Sequence, residues 1–158
     1  RKTTNVSGIF SYLQEIYDET KNPEDGRVKV DICWEKGELY AEENLLKTVL
    51  INLTDNAIKA SEEGQTVEIT GRRMENGYYF QVRDEGIGIP EEELHKITEA
   101  FYMVDKSRSR AHNGAGLGLA LCTAILELHH SRLKIESTLG VGSCMSFLIP
   151  DEGVKVDE

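Results

Sequence analysis

Asn52, Asn56 and Lys59 stand four and then three residues apart. On an α-helix, at ~100° per residue, they fall within roughly 60° of one another. Asparagine forms helices poorly because its amide competes for nearby backbone groups. A lone mid-helix asparagine is best read as satisfying that backbone; two in line with a lysine make a candidate ligand set. Amide oxygens suit a hard cation such as Mg2+, and a lysine ammonium suits phosphate.

A second group is Asp84-Glu85-Gly86-Ile87-Gly88-Ile89-Pro90, directly after an alternating stretch that reads as a strand. A carboxylate at a strand end can accept from an exocyclic amine such as that of adenine, and glycines let backbone approach a ligand closely. The same residues also suit an ordinary strand-to-helix turn. A third group, Gly114-Ala115-Gly116-Leu117-Gly118-Leu119, opens a helix. Free N–H groups and the positive end of the helix dipole make such a start a phosphate site. No Gly-Lys-Ser/Thr follows, so it is not a Walker loop. The stretch before it is polar and not a strand, which argues against a dinucleotide fingerprint. Lys106, Arg108 and Arg110 form a local basic cluster, able to meet an anion or simply to be a solvated loop.

These groups need a scaffold. Residues 42–61 read as a helix, with Leu46, Val49, Leu50, Leu53 and Ala57 toward a core, Glu42 and Glu43 in the first turn, and Gly64 past its end. Residues 7–21 read as an amphipathic helix carrying Ile9, Phe10, Leu13, Ile16 and Tyr17, with Ser7 as its cap. A turn at 22–26 leads to a strand with Val28, Val30 and Ile32 alternating, and a short strand at 39–41 follows the Lys36-Gly37 turn. Residues 66–74 and 78–83 read as a hairpin around Asn76-Gly77. Pro90 and three glutamates start a helix, and 101–115 is an aperiodic loop. Residues 117–129 form a helix, and 133–137 and 143–149 are closing strands around a turn with Gly140 and Gly142. The tail beyond Pro150 is polar and expected to fray. Helices precede and interrupt the strands without strict alternation, which predicts a two-layer α/β sandwich over a doubly wound parallel sheet.

The composition fits that plan. At 158 residues, with 39% hydrophobic and 29% charged residues, the chain reads as one globular domain. No apolar run reaches the ~18 residues of a membrane span. A formal charge of −10 argues against nucleic acid as a partner. Cys33, Cys122 and Cys144 are far apart, odd in number and without a CxxC pair. They read as reduced, buried thiols of a cytoplasmic protein. The chain begins at Arg1 with no signal-peptide pattern, which reads as a fragment of something longer.

Taken together and in order, these pieces resemble the GHKL ATPase superfamily with its Bergerat-type fold, and most closely the catalytic domain of sensor histidine kinases. The stretch Asn52-Leu53-Thr54-Asp55-Asn56-Ala57-Ile58-Lys59 resembles the N box, and 84–88 the first glycine box. Phe101-Tyr102 with Lys106, Arg108 and Arg110 resembles the F box and the start of an ATP lid, and 114–119 the second glycine box. Glu127-Leu128-His129, Gly140-Val141-Gly142-Ser143 and 147–150 resemble the family's ending. The resemblance implies a single domain over 1–158, with a core at 7–150, a lid at 102–115 and a tail at 151–158. It implies a mixed, mostly antiparallel sheet packed on about three helices.

It also implies roles. Asn56 would ligate Mg2+, Asn52 would assist at the phosphates or metal, and Lys59 would bind phosphate. Asp84 would accept from the adenine amine, with Gly86, Gly88 and Ile89 bordering the base. Gly114, Gly116 and Gly118, with Ala115, Leu117 and Leu119, would form the lid hinge and phosphate cradle. Tyr102, Lys106 and Arg108 would reach the nucleotide from the lid. The implied partners are ATP or ADP, a histidine-bearing dimerisation domain of the same parent protein and a downstream response regulator, the catalytic domain itself being monomeric. Two positions depart from the family's pattern. Met103 stands where many histidine kinases carry an arginine, so Arg108 or Arg110 takes that place, and Ala60 stands where an aromatic is common.

Four functions compete: a histidine kinase, a hydrolase like gyrase B or the heat-shock chaperones, an anti-sigma serine kinase, and a non-catalytic nucleotide-binding module. The hydrolases and serine kinases carry a glutamate four residues before the metal asparagine; here that residue is Asn52. An amide is no general base at neutral pH, whereas an imidazole acceptor brings its own lone pair. None of His95, His112, His129 and His130 begins a phospho-acceptor pattern, and His129-His130 reads as a carbonyl-bonding pair at a helix end. The lid reading predicts that trypsin cuts after Arg108 or Arg110 in nucleotide-free protein and that a non-hydrolysable ATP analogue slows the cut. Equal rates would contradict it.

Overall fold

The computed structural model describes residues 2–17, 28–86 and 115–153, and the backbone alone at 115–117. Chain order is β1 (Lys2–Asn5), α1 (Val6–Ile16), β2 (Lys29–Trp34), β3 (Glu38–Ala41), α2 (Glu43–Ala60), β4 (Thr66–Arg73), β5 (Gly77–Asp84), α3 (Ala115–Leu128), β6 (Lys134–Thr138) and β7 (Gly142–Pro150). A five-stranded sheet runs β2-β4-β5-β7-β6, and β1 pairs with β3 in a separate two-stranded sheet. Only the β2–β4 pair is parallel; β4–β5, β5–β7 and β6–β7 are antiparallel. This is the mixed, mostly antiparallel sheet that the sequence implied, with three helices among the described residues.

The period-2 side-chain alternation of strands decides which residues face the helices. Val67 and Ile69 on β4, Tyr78, Phe80 and Val82 on β5, and Met145, Phe147 and Ile149 on β7 are buried. Against them pack Ile9, Phe10 and Leu13 of α1, Leu46, Val49, Leu50, Leu53 and Ala57 of α2, and Leu119, Cys122, Ile125 and Leu126 of α3. Phe10 stacks on Trp34 and on Phe80, and Phe80 on Phe147. None of the described helices is long and apolar enough to cross a membrane.

α2 is tied down on both flanks. On one, the hydroxyl of Tyr17 donates to Asp55 at 2.9 Å, and burial and then Asp55 push that phenol's pKa upward. On the other, the thiol of Cys122 donates to the Val49 carbonyl at 3.8 Å. Burial pushes that thiol up to about 11, which leaves it inert.

Several details differ from the sequence reading. The N-terminal residues form β1, whose Lys-Thr-Thr-Asn run carries no alternation. The cap of α1 is Asn5, accepting from the Ser7 N–H at 2.8 Å, so Ser7 is inside the helix. α1 ends at Ile16, where Tyr17 takes a non-helical backbone; 18–21 and the turn at 22–26 lie outside the described residues. Gly77 is the first residue of β5, paired with Pro150, and not the corner of a two-residue turn. Cys33 is exposed, because it lies on the outer face of edge strand β2 beside Lys29 and Asp31. Ala115 belongs to α3 and not to a loop. Asp151 is pinned, its carboxylate paired with Arg73 and its N–H on the Asn76 carbonyl at 2.9 Å, since β7 ends beside the β4–β5 connection. The helix start at Pro90, His95, His112 and the tail past 153 lie outside the described residues.

α3 closes with the Ser131 N–H on the Leu126 carbonyl at 2.8 Å and the His130 N–H on the Glu127 carbonyl at 3.0 Å. His130 takes φ 58°, the left-handed conformation that usually goes to glycine at this position. His130→Gly should therefore stabilise the fold by ~0.5–1 kcal/mol, the left-handed strain relieved less the extra chain entropy of glycine. A urea midpoint that rises at unchanged slope would bear this out.

Candidate functional site

The inward alternation of β5 runs Tyr78, Phe80, Val82 and then Asp84, so a carboxylate ends up on the buried face of the sheet. Its Oδ1 accepts from the Gly86 N–H at 2.8 Å and from the Ser143 N–H at 3.2 Å. Among the described residues no hydrogen bond reaches Oδ2. Burial raises the pKa of this carboxyl above its ordinary value, and the Gly86 and Ser143 donors pull it partly back.

The backbone around Asp84 is held from three sides. Gly142, at φ 142°, lies so close that a Cβ there would be 2.2 Å from the Asp84 carbonyl oxygen. A Cβ on Gly86 would be 2.2 Å from the Ala60 carbonyl oxygen at the end of α2. The room beside Gly86 thus serves helix-to-strand packing, whatever its other side meets. Gln65, in the loop after α2, donates to the Glu85 carbonyl at 3.0 Å. Ser137 and Ser143 pair through their hydroxyls at 2.8 Å behind this point.

One turn before Ala60 on α2 sits Asn56. Its Nδ2 is buried and has no hydrogen-bond partner among the described residues. The two ends of an amide interchange by a flip, so this position offers either a donor or an oxygen. A buried amide group without a partner costs about 1–3 kcal/mol, which marks the position as one suited to a ligand. Asn52, one turn earlier, faces α3: a Cβ on Gly118 would lie 4.0 Å from its Cγ. Asn52 is also a hydrogen-bond partner of Cys122. Lys59 is exposed and has no ion pair among the described residues.

The described part of the third motif, 115–119, opens α3, as the sequence implied. The first four N–H groups of a helix have no internal partner. Among the described residues here they belong to Ala115, Gly116 and Leu117. Leu119 is 6% exposed and packs in the core. The structure therefore sets Asp84 and Gly86 at the C-terminal end of α2 and Asn52 beside the start of α3, with Asn56 between them along α2. Gly88, Ile89, Tyr102, Lys106, Arg108 and Gly114 lie outside the described residues. The sequence reading missed Ser143 as a holder of Asp84 and Gly142 as its backing. Their signal was the Gly-Val-Gly-Ser turn itself, read there as a strand connection.

A chain with this sheet, these helices and these boxes has known counterparts. It belongs to the family of histidine kinase-, DNA gyrase B- and HSP90-like ATPases, whose sequence pattern matches residues 41–153. Among its relatives is the circadian input-output histidine kinase CikA of Synechococcus elongatus, 42% identical over 112 residues, covering 71% of this chain and 15% of the relative. The sensor histidine kinase WalK of Bacillus subtilis is 36% identical over 154 residues, covering 95% of this chain and 25% of WalK. The solved catalytic domain of histidine kinase ThkA superposes with a TM-score of 0.75 at 28% identity, covering 96% of this chain and 97% of that one. ThkA has also been solved in complex with the response regulator TrrA, at TM-score 0.73 and 26% identity, covering 95% of this chain and 41% of that one. The chain spans 15% of CikA and 25% of WalK, a fraction of each.

The raised pKa of Asp84 sets a stability prediction. A carboxyl raised in the folded state means that the fold disfavours its charge. That penalty is present above the folded pKa and vanishes as pH falls below the unfolded value, near ~4. Asp84→Asn keeps an acceptor for Gly86 and Ser143 and removes the charge. It should be more stable than the parent at pH 7, with the gap closing toward about pH 4. Denaturant midpoints across that range check the sign; a variant less stable at pH 7 would contradict it.

Proposed function

We propose that this domain binds Mg-ATP and passes the γ-phosphoryl group to a histidine on a separate dimerisation domain of the same parent protein, with a response regulator downstream. The observation that carries the reading is a buried carboxylate with one oxygen uncommitted, held by Gly86 against Ala60 at the end of α2, one helical turn along that helix from the buried, unpartnered Nδ2 of Asn56. The ATPase family and the kinase relatives support it, as does the complex of ThkA with TrrA.

In this reading Oδ2 of Asp84 accepts from the adenine amine, with Gly86, Gly88 and Ile89 bordering the base. The first-turn N–H groups of α3 meet phosphate oxygens at the positive end of the helix dipole, and Gly114 hinges the lid. Lys59 adds a cation for phosphate, and Tyr102, Lys106 and Arg108, or Arg110 in its place, approach from the lid. Asn56 fits a Mg2+ role: its amide oxygen is one hard ligand, and phosphates and water complete such a shell. Among the described residues no three His, Cys, Asp or Glu side chains gather as an alternative metal site. Bound Mg2+ supplies charge neutralisation at the phosphates.

Asn52 separates this reading from its rivals. Its amide takes no proton from water or a serine hydroxyl, so the domain holds ATP without spending it. An acceptor imidazole attacks with its own lone pair. The test is incubation with γ-labelled ATP, alone and with an acceptor-histidine domain. Slow hydrolysis, no self-labelling, and acid-labile label on the added domain are expected. Hydrolysis at ~1 per second or faster by the domain alone would favour a hydrolase, and acid-stable label a serine kinase. Asn56→Ala should fold, lose the Mg2+ dependence of ATP binding and abolish transfer. An unchanged Mg2+ response in titrations would move the metal elsewhere.

A further inference from the structure

α2 and α3 run antiparallel, and contacts along their seam limit how far one slides on the other. Nearest the site, Gly118 lies beside Asn52. Further along, the Cys122 thiol reaches the Val49 carbonyl at 3.8 Å. At the far end is His129, 1% exposed. Its Nδ1 bonds the Ile125 carbonyl at 2.8 Å, and its Nε2 accepts the backbone N–H of Glu42 at 3.0 Å. Glu42 is the N-cap of α2. A carbonyl only accepts and an N–H only donates, so both bonds together require the neutral imidazole with its proton on Nδ1. Gly118 makes no polar contact with Asn52 through a side chain, and the bonds of Cys122 to Val49 and Asn52 are weak sulfur bonds. The imidazole is the strong tether, joining the last turn of α3 to the first N–H ahead of α2.

We infer that His129 is a positioning residue for phosphate binding, setting the axial register of α3 on α2 so that the first-turn N–H groups of α3 stand opposite Asn52 and Asn56. The inference rests on the nucleotide reading above. A slip of one residue moves a helix by ~1.5 Å, well outside the few tenths of an ångström that a hydrogen bond tolerates. Asp84 sits on β5 and takes its bonds from Gly86 and Ser143. The adenine end is thereby held by β5, β7 and the end of α2, and α3 makes none of the Asp84 hydrogen bonds. A mere stability role would weaken every ligand alike, whereas a register role weakens only those with phosphates.

The test is calorimetric titration of adenosine, ADP and Mg-ATP against the parent chain, His129→Leu, His129→Asn and His129→Gln. Leucine fills the space without polar atoms. Asparagine keeps a donor for Ile125 but falls short of Glu42, and glutamine carries an acceptor out to the Nε2 position. His129→Leu and His129→Asn should bind adenosine within about twofold of the parent yet lose about tenfold for ADP and Mg-ATP, ~1.4 kcal/mol. His129→Gln should recover most of that loss. Equal losses for adenosine and ADP, or an unchanged preference for phosphates in a folded variant, would overturn the inference. If leucine prevents folding, the asparagine variant decides alone. A parent chain that binds none of the three ligands would instead overturn the nucleotide reading itself.

Discussion

Asp84 is a carboxylate on the buried face of a sheet, and burial alone makes it costly. The fold keeps it there by satisfying one oxygen with two backbone donors, from Gly86 and Ser143. Those donors hold only because three segments converge on the end of β5. β7 must begin with a glycine to pass the Asp84 carbonyl, and the turn after β5 must carry a glycine to clear the end of α2. The spacing of β5, β7 and α2 is therefore set by one charged group that contributes nothing favourable to the core. A penalty retained in this way is what a binding site would be expected to cost the fold.

α2 carries the other half of the site, and its rotation is fixed by opposed flanks. Five apolar side chains seat it on the sheet. Tyr17 and Asp55 tie one flank to α1, and Cys122 and His129 tie the opposite flank to α3. Asn52 and Asn56 lie on the α3 flank. The amides thus face the start of α3, whose unpaired N–H groups and dipole make it electropositive. Base and phosphate recognition are proposed for different elements, β5 for one and the two helices for the other.

Much of this was legible in the residues. The apolar periodicity of 42–61 locates α2 to within a residue at each end, and the stretch 78–83 places Asp84 at the end of a strand, while its inward face emerges only from the sheet. What was not legible depends on neighbours distant in sequence. The run Lys-Thr-Thr-Asn becomes β1 only because β3 offers an edge. Gly86 and Gly142 signal turns locally, while their need for a missing side chain arises where Ala60 and Asp84 press against them. His129 reads as a helix-end residue, and its second bond, to Glu42, depends on how two helices pack. Leu119 sits in a glycine-rich motif, yet the turn of α3 sends it into the core.

The central claim is that the uncommitted oxygen of Asp84 reads an amine on the base. Comparison of Mg-ATP with Mg-ITP tests it most directly, since the amine of one base is a carbonyl oxygen in the other, with a proton gained at the adjacent ring nitrogen. A charge-assisted hydrogen bond is worth about 1.5–3 kcal/mol, so ATP should bind at least about tenfold more tightly. Asp84→Asn, whose amide can turn a donor toward that carbonyl, should narrow or reverse the preference. Equal affinity of the parent chain for both nucleotides would contradict the account.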